Sequence, residues 1–393
     1  MAQQTLIDDG ALVIDNRGAI EAIGPTKTIL ADFGTNARLV DANGFIVIPG
    51  FVDCHTHLPF AGWRSDEYRQ RLTGLSYQNM GKLGGIARSS QQLLESTDED
   101  VIAFCEPLME EMLRNGTTTI EMKSGYGLTR EGELRQLQII QEFRRRMRQR
   151  ITATGLFLHS PPRNTTKEKW LWEVEHTLLP EAHRWQWLDA VDAFIETTTF
   201  SPHEVQGYFR QAKKLNLNIR VHSDQFSHLG GTALALSLGA RGIDHLDHIT
   251  SDDITQFQSS DSVAVLLPGA SYHLNHKPFP PARRLIDQNI AVAIASDFNP
   301  GTSPIASMPL ILSMAVHFFG LSPEEALSAS TINPAYVLGL EGEVGSLEVG
   351  KRADILILDT NTLEEIPYRA GHNPIRQLFV RGQSATNQET QTV

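Results

Sequence analysis

Residues 47–64 read VIPGFVDCHTHLPFAGWR, an apolar run that ends in two histidines and predicts the first strand of a sheet. Alternate residues of a strand share a face, so His55 and His57 point to the same side. Two imidazoles on one face are either a metal-chelating pair or two polar residues at the end of a buried strand. The stretch alone leaves both alternatives open, and the rest of the chain has to decide between them.

Seven further β-rich runs follow this stretch, and helical patterns separate them. Alternation of strands and helices favours parallel strands joined by helical crossovers. Eight such units in about 300 residues predict an α/β fold of the TIM type, a (β/α)₈ barrel. The predicted strands are residues 50–57, 117–124, 151–160, 190–197, 218–225, 240–246, 262–269 and 291–299.

The two ends of the chain have a different pattern. Residues 10–25, GALVIDNRGAIEAIGP, predict a β-hairpin with its turn at residues 16–18. Further strands are predicted in the C-terminal segment, in GSLEVGKRADILILD and IRQLFVRGQ. We therefore predict a small discontinuous β domain formed by residues 1–48 and 345–393, and a barrel formed by residues 49–344.

Composition and charge exclude several classes of protein. The formal net charge of the 393-residue chain is -12, which disfavours binding to nucleic acid or to an anionic membrane. The one basic run, FRRRMRQR, continues a helical pattern and is interpreted as a solvated helical face. Two cysteines cannot form a disulfide framework, and no signal peptide or membrane-spanning run is apparent. We expect a cytoplasmic protein.

Polar side chains collect at the C-terminal ends of the predicted strands, where barrels of this class place their active sites. Three imidazoles and one carboxylate at the ends of strands one, five and eight suit zinc or iron and leave a position for water. Four unrelated polar residues are the alternative, but their shared placement favours a metal site. The predicted ligands of one metal ion are His55, His57, His222 and Asp297.

Two residues of this rim are predicted to act in catalysis. His245 ends strand six, where it could stabilise a developing oxyanion or pass a proton, although a structural histidine is the alternative. Asp297 has lone pairs both for the metal and for a proton from the activated water. Glu196 could bridge a second metal ion, but no further ligand set is apparent, so we assign it a supporting role.

Loops around the same rim supply candidates for substrate binding. Arg64 is a fixed cation suited to a carboxylate, and Tyr126 lies in the glycine-flanked loop KSGYGL. For each candidate alone an ordinary loop residue is the alternative, and only the shared position favours ligand binding. The predicted substrate contacts are Arg64, Tyr126, His159, Gln225, Asn299, Gly301 and Thr302.

Several motifs resemble those of the amidohydrolase superfamily and, taken together, those of the imidazolonepropionases. They are PGFVDCHTHLPFAGWR, EMKSGYGL, VHSDQ and SDFNPGTSP, and the resemblance extends over nearly the whole chain. Two places depart from the family pattern. FLHSPP surrounds His159 where GAHAVP is usual, and Trp63 stands where a smaller polar residue is common.

The resemblance implies hydrolysis of 4-imidazolone-5-propanoate to N-formimidoyl-L-glutamate, a step of histidine breakdown. It implies one zinc or iron ion on the four predicted ligands, a small-molecule substrate on the seven predicted contacts, and a homodimer. Two alternatives stay open. One is another cyclic amidohydrolase or a deaminase of the superfamily, and the other is a catalytically inactive amidohydrolase-like binding protein.

Overall fold

Strands near both ends of the chain flank a long series of strands that alternate with helices. The structure is a computed structural model that describes residues 4–34, 37–74, 84–162, 164–275 and 277–385. Its strands are β1 (Gly10–Ile14), β2 (Ile20–Pro25), β3 (Val47–Pro49), β4 (Phe51–Asp53), β5 (Thr117–Lys123), β6 (Arg150–Leu158), β7 (Ala190–Ile195), β8 (Asn218–Ser223), β9 (Gly242–His245), β10 (Val263–Leu266), β11 (Val292–Ile294), β12 (Ile355–Leu358), β13 (Ile375–Val380) and β14 (Gln383–Ser384).

Strands β4 to β11 form one eight-stranded sheet, and each strand pairs in parallel with the next one along the chain. The first and last strands approach each other beyond their ends. There Thr56 forms a parallel bridge with Phe298, and the amide of His57 donates to the carbonyl of Phe298 at 2.9 Å. The predicted (β/α)₈ barrel is confirmed.

Helices surround this barrel, and several begin at a Ser or Thr whose hydroxyl caps the first turn. None of the described helices is long and apolar enough to cross a membrane. A π-helical turn, Val174–Leu178, joins the helix Lys167–Glu173 to the helix Leu179–Arg184. The α-helices are α1 (Thr26–Phe33), α2 (Ser65–Leu72), α3 (Ile86–Glu95), α4 (Asp98–Arg114), α5 (Arg130–Arg146), α6 (Lys167–Glu173), α7 (Leu179–Arg184), α8 (Pro202–Lys214), α9 (Gly231–Leu238), α10 (Ser251–Phe257), α11 (Pro268–Leu274), α12 (Ala282–Asp287), α13 (Met308–Phe319), α14 (Pro323–Ala329), α15 (Ile332–Leu338) and α16 (Glu365–Tyr368).

The barrel strands are buried on both faces, as expected of a parallel sheet covered by helices. In β5 every residue is buried, yet the two faces differ in chemistry. Ile120 and Met122 join the apolar core, whereas Glu121 and Lys123 alternate with them and take part in a buried ionic network. The barrel interior therefore holds charged side chains directly below the strand ends.

The ends of the chain meet in two antiparallel sheets. β1 pairs with β2, and a second sheet has the strand order β14-β13-β12-β3. The amide of Ile20 donates to the carbonyl of Lys351 at 2.8 Å, which joins the hairpin to the C-terminal segment. Gly50 links β3 to β4, and a Cβ there would lie 2.1 Å from Thr118 Oγ1, so only glycine fits. The domain boundaries that we placed after residues 48 and 344 remain a prediction.

Candidate metal centre and active site

The four predicted metal ligands meet at the C-terminal end of the barrel. His57 Nε2 lies 3.3 Å from His55 Nε2, 3.5 Å from His222 Nε2 and 3.1 Å from Asp297 Oδ1. Ligand atoms at about 2.1 Å from one ion, with angles of roughly 90° to 109°, would be about 3.0 to 3.4 Å apart. The three separations from His57 are close to these values, as expected of residues that could hold one metal ion.

Two buried carboxylates orient the ligand imidazoles from behind. Asp244 Oδ1 lies 3.0 Å from Nδ1 of His55, and Asp192 Oδ2 lies 3.0 Å from Nδ1 of His222. A carboxylate at Nδ1 keeps the proton there and turns the Nε2 lone pair toward the metal position. Neither aspartate was singled out from the sequence, because each looks like an ordinary strand residue there.

Two fully buried cations hold these aspartates in turn. Lys123 Nζ lies 2.9 Å from Asp192 Oδ2, and Arg220 Nη2 donates to Asp244 Oδ1 at 2.5 Å. Glu121 contacts both cations, at 2.5 Å from Lys123 Nζ and 3.6 Å from Arg220 Nη1. Breaking any of these pairs would leave a buried charge uncompensated, so the network fixes the aspartates in place.

The formal charge of this interior favours a divalent cation. The network has three carboxylates and two cations, and the carboxylate of Asp297 lies beside it. Together these groups have a formal charge of -2. A divalent ion would neutralise that charge, which a buried site of low dielectric requires.

The pKa values of the buried histidines differ: three of these rings favour the neutral form, whereas His55 favours the protonated form. Burial lowers the pKa of His57 to about 4 and holds the pKa values of His159 and His245 well below the ordinary value. Burial and Lys123 oppose the charging of His55, but Asp244 and Asp297 raise its pKa to about 9. The carboxylates beside His55 therefore favour a positive charge at this ring.

Asp297 follows β11 with a left-handed backbone, at a φ of 51°. Burial disfavours its charged form, but hydrogen bonds with His55 and His57 and their charges outweigh burial and hold its pKa well below the usual range. Its carboxylate is therefore ionised at neutral pH, as both predicted roles require.

A cavity opens above the ligand cluster and gathers most of the predicted substrate residues. Two apolar residues, Ile86 and Phe194, also line it, and neither was singled out from the sequence, where both resemble core residues. Of the predicted site, His55 and Gly301 do not line it. The lining residues are His57, Arg64, Ile86, Tyr126, His159, Phe194, His222, Gln225, His245, Asp297, Asn299 and Thr302.

Gly301 provides the space in which the Arg64 guanidinium lies. A Cβ on Gly301 would lie 1.4 Å from Arg64 Nη2, and Arg64 itself is 2% exposed. The backbone of Gly301 is bonded within the protein, since its amide donates to Asn299 Oδ1 and its carbonyl accepts from Arg71 Nη2, both at 2.9 Å. A direct contact of Gly301 with substrate remains a prediction.

Residues 46–385 match the model of the amidohydrolase family. The chain belongs to the amidohydrolase family. It is 39% identical over 384 residues to an imidazolonepropionase of Acinetobacter baumannii, covering 97% of this chain and 95% of that protein. It is 40% identical over 370 residues to an imidazolonepropionase of Pseudomonas aeruginosa, covering 93% and 91%. The predicted resemblance to imidazolonepropionases is confirmed, and the chain is a hydrolase.

Solved structures show the same fold at lower identity. The guanine deaminase of E. coli superposes on this amidohydrolase with a TM-score of 0.72 at 18% identity, covering 97% of this chain and 92% of that one. At that identity the likeness shows the fold alone.

Side-chain hydrogen bonds within the amidohydrolase organise the loop after β11. Asn299 Oδ1 accepts from the amides of Gly301 and Thr302, and Asn299 Nδ2 donates to Thr302 Oγ1 at 2.8 Å. Asn299 thereby fixes the turn, and the Thr302 hydroxyl can donate its own hydrogen into the cavity.

Glu196 supports a neighbouring loop. Its Oε2 accepts from the amides of Phe226 and Ser227, both at 3.0 Å, directly after Gln225. These contacts are those expected of the supporting role that we assigned to Glu196.

Trp63, the departure from the family pattern, lies beside the cavity without lining it. It is 38% exposed, and its ring packs edge-on against Phe60 and Phe298, with centroids 5.3 and 5.9 Å away. Among the described residues it therefore belongs to an aromatic cluster and is not one of those that line the cavity.

Proposed function

We propose that this amidohydrolase opens the ring of 4-imidazolone-5-propanoate to give N-formimidoyl-L-glutamate. The observation that carries the proposal is a buried arginine that lines one cavity together with His57, His222 and Asp297, three of the four proposed metal ligands. A substrate with a hydrolysable ring amide and a carboxylate arm matches these two features. The names of the relatives support the same substrate.

Arg64 would bind the propanoate. Its guanidinium is almost fully buried, with Nε 3.7 Å from Glu67 Oε2. It occupies the space that a side chain at position 301 would fill. A fixed, desolvated guanidinium forms strong bidentate hydrogen bonds with a carboxylate. Binding of the propanoate would thereby set the position of the substrate ring in the cavity.

His159 would recognise a ring N–H. Its Nδ1 lies 3.0 Å from the carbonyl oxygen of Gly125, and a carbonyl can only accept, so Nδ1 carries the hydrogen. The neutral ring then offers Nε2 as an acceptor in the cavity. Tyr126, Gln225, Asn299, Gly301 and Thr302 remain the other proposed contacts.

His55, His57, His222 and Asp297 would hold one zinc or iron ion, and the formal charge of the interior favours the divalent state. When bound, such an ion supplies hydroxide at neutral pH and polarises the carbonyl that is attacked. Both metals accept imidazole and carboxylate ligands, so the choice between them is left to metal analysis.

Two residues would move protons in the reaction. Asp297 is ionised at neutral pH and would accept the proton of the attacking water. His245 is neutral and would donate a hydrogen bond to the developing oxyanion. The proton held by Asp297 would then pass to the ring nitrogen as the C–N bond breaks.

The test is to incubate the metal-loaded protein with 4-imidazolone-5-propanoate and to follow the ring absorbance. We expect loss of substrate and formation of N-formimidoyl-L-glutamate without release of ammonia. Release of ammonia would instead identify a deaminase. No loss of substrate above a metal-stripped control would contradict the proposal, and absence of bound metal as well would favour an inactive binding protein.

Three further predictions accompany this function. We propose a cytoplasmic location, no binding to nucleic acid, and a homodimer. Light scattering on a gel-filtration column tests the dimer, since a monomeric mass would refute it.

A further inference from the structure

Residues 124–128, in the loop between β5 and α5, carry one proposed substrate contact and support another. Tyr126 lines the cavity, and the carbonyl of Gly125 accepts the Nδ1 hydrogen of His159. We call this segment the tyrosine loop. Its position therefore affects two contacts with the ring of the substrate.

A single buried carboxylate holds the backbone at two points of the tyrosine loop. Glu133 Oε2 accepts from the amide of Gly125 at 2.9 Å, and Glu133 Oε1 accepts from the amide of Leu128 at 2.8 Å. Glu133 is 0% exposed. Both carboxylate oxygens are thus used to fix the segment that flanks Tyr126.

Glu133 does not serve as the cap of its own helix. Thr129 fills that position, and its hydroxyl accepts from the amide of Gly132 at 3.0 Å. A carboxylate needed only for the helix terminus would bond to amides of the first turn. Glu133 bonds to the preceding loop instead, which points to a role for the loop itself.

Gln136 holds the centre of the same loop and ties it to a second loop of the site. Its Oε1 accepts from the amide of Tyr126 at 3.0 Å, and its Nε2 donates to the carbonyl of Pro59 at 2.8 Å. Gln136 is also 0% exposed. Pro59 lies two residues beyond His57, so one side chain links the histidine loop to the tyrosine loop.

The tyrosine loop packs too closely on α5 to shift toward the helix. A Cβ on Gly127 would lie 2.2 Å from the amide nitrogen of Glu133, and one on Gly125 would lie 3.0 Å from His159 Nδ1. Backbone on one side and an imidazole on the other confine the loop. The hydrogen bonds of Glu133 and Gln136 therefore select one position for it.

We propose that Glu133 and Gln136 are positioning residues that set the affinity for the ring of the substrate by fixing Tyr126 and His159. This inference rests on the proposed function for the identity of the substrate. Neither residue lines the cavity, so both would act through the loop.

The test compares Glu133→Gln, Gln136→Met and the control Gln149→Met, each as the metal-loaded protein. Gln149 is a matched control because it is 2% exposed and donates one hydrogen bond, to the carbonyl of Met109, outside the tyrosine loop. We expect KM to rise about tenfold in both loop variants while kcat changes much less, since lost hydrogen bonds of this kind remove binding common to ground and transition states. The KM of Gln149→Met should stay within about twofold of the original.

Two measurements add readouts that do not depend on turnover. Amide hydrogen exchange at Gly125, Tyr126 and Leu128 should become faster in the loop variants and stay unchanged in Gln149→Met. The affinity for the unreactive analogue imidazole-4-propanoate, measured by calorimetry, should fall with the rise in KM, and metal content should stay the same.

Unchanged KM and unchanged exchange in both loop variants would overturn the inference, as would an equal rise in KM in Gln149→Met. If the original protein does not hydrolyse 4-imidazolone-5-propanoate, the proposed function fails. In that case, amide hydrogen exchange in the tyrosine loop and the affinity for imidazole-4-propanoate still test the positioning role of Glu133 and Gln136.

Discussion

Replacing Gly301 by alanine tests whether the space beside Arg64 sets substrate affinity. The added Cβ would lie 1.4 Å from Nη2, 2.2 Å from Cζ and 2.5 Å from Nε of that side chain. Since a carbon and a nitrogen in van der Waals contact are separated by about 3.5 Å, the guanidinium must move by about 2 Å. A displacement of that size would remove the proposed contacts of Arg64 with the substrate carboxylate.

The magnitude follows from the lost charge-assisted hydrogen bonds. Such bonds contribute about 1.5 to 3 kcal/mol, which corresponds to a rise in KM of roughly 10- to 150-fold. The effect on kcat should be smaller, because the propanoate is remote from the bond that breaks. An analogue of the substrate with a neutral amide in place of the propanoate should lose much less affinity.

The assay is steady-state kinetics on the purified variant, together with thermal unfolding and metal analysis. Gly342→Ala is the matched control, because a Cβ at Gly342 meets nothing within 4 Å. A KM of Gly301→Ala within twofold of the original would refute the reasoning. A loss of affinity that is equal for the neutral analogue would show that Gly301 acts through something other than the carboxylate.

Three further predictions concern the buried charges and the metal. Asp192→Asn or Asp244→Asn should weaken metal binding by about 10- to 100-fold in a chelator competition assay. The reason is that each carboxylate orients the imidazole of one predicted metal ligand. An unchanged metal affinity would contradict that role. Burial raises the pKa of Asp247 from 3.8 to about 8, so its contribution to stability is greatest below pH 4 and is lost as the pH rises toward 8. Between about pH 5.5 and 7.5, the Asp247→Asn variant should therefore become more stable relative to the original protein, by up to roughly 1.4 kcal/mol per pH unit in urea unfolding. A difference in the free energy of unfolding that stays constant with pH would refute the raised pKa. Chelation of the metal should lower the midpoint of thermal unfolding and either zinc or ferrous ion should restore it, because the ion compensates buried negative charge; an unchanged midpoint would argue against a bound ion.

Local patterns were enough to predict the barrel. Strand and helix patterns are properties of short segments, and eight alternating units have few other ways to bury their apolar faces. The rule that active sites lie at the C-terminal strand ends then placed His55, His222 and Asp297 on one rim, and the structure does bring them together. The spacing of residues 55 and 57 predicted that both histidines share a face of the first strand. In the structure β4 ends at Asp53, and the two histidines lie just beyond it, where they still come together.

Only the tertiary structure showed which residues support that rim. Asp192 and Asp244 are indistinguishable in the sequence from other strand aspartates. Only the tertiary structure brings Asp192 to His222 on the neighbouring strand β8, and Asp244 on β9 to His55, which follows the non-adjacent strand β4. Glu133 and Gln136 look like ordinary residues of an amphipathic helix, and their partners lie in loops that the helix pattern does not specify.

Gly301 shows both what the sequence predicts and what only the tertiary structure reveals. The sequence placed it in a turn-rich loop after the last strand and predicted a substrate contact. That contact remains a prediction, and the structure adds that the absence of a side chain there admits the guanidinium of Arg64, a residue 237 positions earlier in the chain. Residue type and spacing determine which groups are available, whereas the packing of distant segments determines which of them contact each other.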